Sequence, residues 1–170
     1  VILSLDPGSS KIGWSLTSHS GKLVDYGFLS PIAEVPKSMQ FNQKMNLLTR
    51  RLIPEFEVLL DRSTHVAWEI VPSFGQMAQR ELVQATASTL KVLTLKRDYA
   101  YQQFTPQNWH KLFVGKGKCT KNEVKSLVLE NKDLLYTGET LPSDLPFDVY
   151  DAIAIGQVAV EKDKWIYHEL

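Results

Sequence analysis

The chain has 170 residues, 44% hydrophobic and 22% charged, and its 19 basic and 19 acidic side chains cancel at pH 7. That length holds about one domain with its own core. The spread of aromatic residues excludes a disordered chain, and a lone Cys119 excludes an internal disulfide and disfavours a structural zinc cluster. No apolar run approaches the roughly 18 residues of a membrane span, and the first residues lack the basic flank of a signal peptide, so the expectation is a soluble, cytoplasmic protein.

Val1 to Leu5 is a short apolar run that ends in Asp6 and the turn residues Pro7-Gly8-Ser9. Ile12, Trp14 and Leu16 alternate with small or polar residues, the period of a half-buried strand. Gly21 marks a turn and Leu23 to Leu29 a third strand, which together predict an antiparallel meander. Met45, Leu48, Leu52, Phe56, Leu59 and Leu60 fall at helical spacing, so residues 38–61 are read as helix, kinked or divided at Pro54. His65 to Ile70 is a short strand, residues 76–97 a second helix with Leu82, Ala85, Thr89 and Leu93 on one face, and Tyr99 to Phe104 a fifth strand.

Thr105-Pro106 is a helix start, a capping residue followed by proline at the first position. After the loop Gly115-Lys116-Gly117-Lys118, Thr120 and Glu123 form a capping box that opens a helix to about Asn131. A turn-rich stretch leads to Pro146, and the last helix begins near Asp148 with Ala152, Ile155, Val158 and Ala159 inward. This order of elements is that of a mixed α/β domain over residues 1–170.

Three acidic positions stand out by their surroundings. Asp6 closes an apolar strand beside tight backbone. Glu69 closes Val66-Ala67-Trp68-Glu69-Ile70, a setting that is costly for a carboxylate unless it is paired or coordinates a metal. Asp148 and Asp151, three apart at a helix start, share one face, where the helix dipole also favours acids. Each position alone is as well explained by a turn, a cap or a solvated acid. Together they suit divalent metals with oxygen ligands. Charge is also segregated: five lysines face one acid between His110 and Lys125, and six acids face one lysine between Glu130 and Asp151. Solvated loops produce that pattern too.

Leu3-Ser4-Leu5-Asp6-Pro7-Gly8-Ser9-Ser10 with Gly13, Val66-Ala67-Trp68-Glu69-Ile70-Val71, and Phe147-Asp148-Val149-Tyr150-Asp151-Ala152-Ile153-Ala154 resemble the three acidic motifs of the RuvC family of Holliday-junction resolvases, in the RNase H-like superfamily. The resemblance runs over essentially the whole chain. It implies a five-stranded mixed sheet flanked by helices, and Asp6, Glu69, Asp148 and Asp151 as ligands of two Mg2+ ions, with Mn2+ able to substitute. It also implies hydrolysis of branched DNA, four-way junctions above all, leaving 5′-phosphate ends. Val114-Gly115-Lys116-Gly117 followed by Lys121 is similar to a family stretch with a downstream active-site lysine, so Lys121 is expected to neutralise charge on the scissile phosphate. Lys111, Lys116 and Lys118 are candidate DNA contacts, and Phe74 matches an aromatic that the family sets against bases at the junction centre.

The chain departs from the bacterial pattern in places. Trp109-His110-Lys111 stands where those members have another active-site lysine, which leaves His110 and Lys111 as alternatives. Zero net charge and the absence of a basic tail resemble divergent bacteriophage members of the family. Paired nicks at a two-fold symmetric junction need two active sites, so a homodimer is expected, with Met77, Leu82, Val83 and Leu90 of the second helix as its candidate interface. An RNase H-like nuclease acting on RNA–DNA hybrids or flaps would use the same acids, whereas the presence of all four counts against a catalytically silent junction-binding protein. An actin-like ATPase or sugar kinase needs a second phosphate loop and a longer chain.

Overall fold

The computed structural model of the chain describes residues 1–8, 11–32, 35–36, 38–70, 77–135, 140–162 and 165–166. Five strands, β1 (Ile2–Pro7), β2 (Ile12–Thr17), β3 (Leu23–Leu29), β4 (His65–Glu69) and β5 (Ala100–Phe104), form one sheet in the order β3-β2-β1-β4-β5. The meander β1-β2-β3 is antiparallel, while β4 and β5 run parallel to β1. Parallel neighbours need long crossovers, and α1 (Phe41–Asp61) and α2 (Met77–Lys96) lie in those two connections. Helices α3 (Pro106–Val114), α4 (Lys121–Glu130) and α5 (Phe147–Glu161) follow β5.

The period of two in β1 and β4 divides the core into two layers. Leu3, Leu5, Val66 and Trp68 pack against Leu48, Leu52, Phe56 and Leu60 of α1 and against Leu82, Leu90 and Leu93 of α2. Ile2 and Ala67 face the other way, onto α5, with Trp109 of α3 and Val124 and Val128 of α4 closing that layer. Asp6 and Glu69 share the parity of Ile2 and Ala67. Both carboxylates therefore rise from the C-terminal ends of parallel strands on the α5 side.

Helix α5 is buried nearly all round, from Val149 through Gly156 and again at Val158 and Ala159, because the sheet covers one side and α3 and α4 the other. Two glycines set how closely it lies. A Cβ on Gly156 would stand 2.5 Å from Ser4 Oγ, and one on Gly13 would stand 1.8 Å from the Asp148 carbonyl oxygen. Ser4 and Ser15 share a hydroxyl hydrogen bond, and Ser15 Oγ donates to the Ala152 carbonyl at 3.1 Å. Val149 N–H returns to the Pro146 carbonyl, and the Tyr150 hydroxyl donates to the Pro142 carbonyl at 2.6 Å. The start of α5 is thereby pinned over the β1–β2 pair.

Two expectations change. Of the kink or division expected at Pro54, division does not occur: α1 runs through it. Pro54 is exposed, so the Arg50 carbonyl that loses its helical donor can be hydrated. On α2, Leu82 and Leu90 are 8% and 1% exposed and turn into the sheet, so they are core and not a dimer face. The Met77 side chain lies outside the described residues, and Val83 is half-buried. The Thr120–Glu123 capping box forms as expected, with Thr120 N–H donating to Glu123 Oε2 at 2.8 Å and Glu123 N–H to Thr120 Oγ1 at 3.3 Å.

Candidate active site

Carboxylate oxygens of Asp6, Asp148 and Asp151 lie within 4.8 Å of one another. Asp6 comes from the end of β1, and the two aspartates come from the first turns of α5, one helical step apart. An ion with metal–oxygen bonds of about 2.0–2.1 Å spaces its ligand oxygens by roughly 3–4 Å. Small side-chain adjustments would therefore bring all three onto one cation. The donors are all oxygen, which suits hard divalent ions such as Mg2+ and Mn2+ rather than zinc or copper.

Glu69 borders this group from the end of β4 without being one of the three. Its Oε2 accepts a 2.6 Å hydrogen bond from the indole Nε1–H of Trp109, itself 1% exposed. Lys121, in the first turn of α4, places Nζ 3.1 Å from Asp148 Oδ1 and 3.4 Å from Asp151 Oδ2. Its capped helix start thus delivers a cation to the acids.

The electrostatics record too much negative charge in too little water. Burial, then the charges of Glu69, Asp151 and Asp148, hold the Asp6 carboxyl well above its usual range. Burial also lifts Glu69 to about 7, with Asp151 adding and the Trp109 bond and Lys121 opposing. Asp151 is raised to about 6, again chiefly by burial, against the pull of Lys121. For Lys121, burial is the largest single influence and lowers it, but Asp151, Asp148 and Asp6 together raise it on balance. One lysine does not neutralise four acids, and a bound divalent cation would relieve much of the remainder.

The other expected contacts are dispersed. Lys116 forms an ion pair with Glu123 of the capping box, and Lys118 is exposed in the same loop. Lys111 lies about 200° round α3 from Trp109, where it is exposed and lines a cavity of about 440 Å3 with Gln103, Phe104, Leu112 and Ile166. His110 is hydrogen-bonded to the Gly117 backbone and meets the Trp109 ring edge-on at 4.0 Å. Phe74 lies outside the described residues.

Two features escaped the sequence reading. Trp109 reads as one more apolar residue of α3, and no spacing announces its bond to Glu69. Phe28 and Phe147, 45% and 38% exposed, flank the acids, with Lys11 Nζ 5.3 Å above the first ring and Lys125 Nζ 5.7 Å from the second. Phe28 pairs across β2 with Gly13, which pairs with Asp6, and Phe147 immediately precedes Asp148. An exposed phenylalanine beside an alternating strand was the one available sign.

A three-layer arrangement with a central mixed sheet, acids at two parallel strand ends and two more at a helix start defines the class, an RNase H-like nuclease fold. Among solved structures, Thermus thermophilus RuvC in complex with a Holliday junction substrate is similar to it, with a TM-score of 0.66 and 18% identity over 92% of this chain and 90% of that one. The yeast mitochondrial Holliday junction resolvase gives 0.58 and 16% over 94% and 77%. Residues 2–159 match the sequence model of the crossover junction endodeoxyribonuclease RuvC family. The Helicobacter pylori (strain G27) crossover junction endodeoxyribonuclease RuvC is 30% identical over 161 residues, covering 91% of this chain and 92% of the relative. The Orientia tsutsugamushi (strain Ikeda) enzyme is 25% identical over 75% and 79% of the two chains. The chain belongs to the RuvC family of nucleases.

Proposed function

We propose that this chain is a Mg2+-dependent endonuclease that resolves four-way DNA junctions, and nicks other branched DNA, to leave 5′-phosphate and 3′-hydroxyl ends. The observation that carries it is the meeting of Asp6, Asp148 and Asp151 within 4.8 Å, with Lys121 bridging Asp148 and Asp151. Family membership supplies the substrate class.

Asp6, Asp148 and Asp151 hold the metal site, and Glu69 completes it from β4. These carboxylates would hold two Mg2+ ions, with Mn2+ able to substitute, which would supply activation of the attacking water and stabilisation of the leaving 3′ oxygen. Lys121 balances Asp148 and Asp151 in the free protein, and would neutralise charge on a scissile phosphate held beside them. The exposed rings of Phe28 and Phe147, each with a lysine beside it, offer a stacking and charge-balancing rim for nucleotides next to the cut. Lys111, Lys116, Lys118 and Phe74 are further candidate contacts with the DNA branches. Selectivity then comes from branch shape and phosphate spacing more than from base edges.

Two nicks across a two-fold symmetric junction require two such sites, so the working form is a homodimer of this unit over residues 1–170, acting in the cytoplasm. With Leu82 and Leu90 committed to the core, the outward side of α2, where Val92 is 63% exposed, is one candidate surface for pairing. No helix among the described residues is long and apolar enough to cross a membrane.

The test is cleavage of labelled four-way junction, flap, linear duplex and RNA–DNA hybrid with Mg2+, beside Asp6→Asn. Paired nicks in the junction, lost in the variant while binding persists, are expected. Equal cutting of the hybrid would move the reading to a ribonuclease. No cutting of any substrate with Mg2+ or Mn2+ would leave a silent junction binder.

A further inference from the structure

We infer that Trp109 is a positioning residue of the metal site: its indole N–H, held rigidly by the core, fixes Glu69 so that one carboxylate oxygen stays free for a cation. The inference rests on Glu69 being a ligand, as proposed above.

An indole carries one polar group. Its N–H donates only, never accepts, and does not titrate in the working pH range. Trp109 is 1% exposed and packs in the layer formed by Ala67, Phe104, Val124 and Tyr150, so the ring has no freedom to follow a moving partner. It sits one turn inside α3, whose start is fixed by the Thr105 side chain accepting from Asn108 N–H. The donor is therefore placed by helix, cap and core together.

Glu69 has the opposite character. It stands at the last position of β4, beyond which residues 71–76 lie outside the described part of the chain, and its side chain has more than one rotatable bond. The acids around it repel it. Left alone, it would turn away from Asp6 and Asp151. The 2.6 Å bond to Oε2 counters that tendency, because a donor on an ionised acceptor is stronger than a neutral pair. It also leaves Oε1 without a partner from Trp109. The acids thus have two anchors of different kinds. Lys121 holds Asp148 and Asp151 and must let go when cations arrive, whereas Trp109 holds Glu69 and has no reason to. Buried indole N–H groups seek any acceptor, and that alone would make Trp109 ordinary core. The two roles differ in what happens when only the N–H is removed.

The experiment places benzothienylalanine at position 109, which exchanges N–H for sulfur in a ring of nearly the same shape, with Trp109→Phe as the genetic counterpart. Mn2+ binding is followed by electron paramagnetic resonance without DNA, and junction cleavage is followed against Mn2+ concentration. Partners that orient a metal ligand from behind are worth about 10–100-fold in metal affinity. The expected result is a tenfold or larger rise in the Mn2+ midpoint in both variants, at melting temperatures where the protein is folded, with junction affinity in EDTA unchanged. In a Glu69→Gln background the benzothienyl exchange should add little, since the ligand it positions is already gone. A benzothienyl variant that binds Mn2+ as the unmodified protein does would overturn the inference and leave Trp109 as core. So would an undiminished loss in the Glu69→Gln background. If Glu69→Gln itself leaves Mn2+ binding untouched, it is the assignment of Glu69 as a ligand that fails.

Discussion

Metal-free Glu69→Gln protein should be more stable than the unsubstituted chain at pH 8. Burial, with Asp151 adding, raises Glu69 from 4.5 to about 7. Its folded pKa is therefore above its unfolded value, so the folded state binds the proton more tightly. The stability this gives is fully present below about pH 4.5 and is lost as pH rises through the window to about 7. Over that interval the loss amounts to about 3 kcal/mol. Glutamine cannot ionise and still offers Trp109 an acceptor oxygen, so it recovers most of this at pH 8. In a chain of this size that is roughly 5–10 °C in melting temperature. The assay is thermal unfolding in EDTA from pH 5.5 to 8. The unsubstituted protein should lose stability across the range, and the variant should melt higher at pH 8 with a shallower profile, the residual slope coming from Asp6 and Asp151. Added Mg2+ should raise the unsubstituted protein more than the variant. A variant that melts at or below the unsubstituted protein at pH 8 in EDTA, with a parallel profile, would refute the reasoning.

Three further outcomes follow from the same geometry. Lys121→Met should lower the cleavage rate at saturating Mg2+ by about 10²-fold or more, while Mn2+ binding by paramagnetic resonance should not weaken, because Lys121 competes with cations for Asp148 and Asp151. Gly13→Ala should cost at least about 1–3 kcal/mol in urea unfolding and depress cleavage, because its Cβ would lie 1.8 Å from the Asp148 carbonyl and must push the start of α5 off the sheet. Mn2+ binding should release protons at pH 6, with affinity rising through pH 6 to 7, since Asp151 and Glu69 are raised to about 6 and about 7. Calorimetry in buffers of different ionisation enthalpy reads that release directly.

Much of this was legible in the residues because local signals and tertiary demands agreed. The alternation of Ile12, Trp14 and Leu16, the Thr120–Glu123 box and the Thr105-Pro106 start each produced the expected element within a residue or two. Asp6 and Glu69 were visible as acids closing apolar strands, and period two then fixed their common face. Pro54 left a kink and a break open because a proline's cost depends on whether the freed carbonyl meets water, and exposure is not written in the local sequence. Leu82 and Leu90 misled because an apolar stripe is the same whether it meets a sheet or a second copy. The Trp109–Glu69 bond was hidden for a different reason. It joins residues 40 apart through the meeting of a strand end and a helix, and only the packed fold brings them together.

The most direct test of the central claim is anomalous scattering from Mn2+ in crystals of the protein. The account predicts a manganese peak about 2.1 Å from carboxylate oxygens of Asp6 and of Asp148 or Asp151, with Lys121 Nζ displaced from its 3.1 Å contact with Asp148. Saturating Mn2+ that leaves those carboxylates bare, with Lys121 still seated between them, would contradict it.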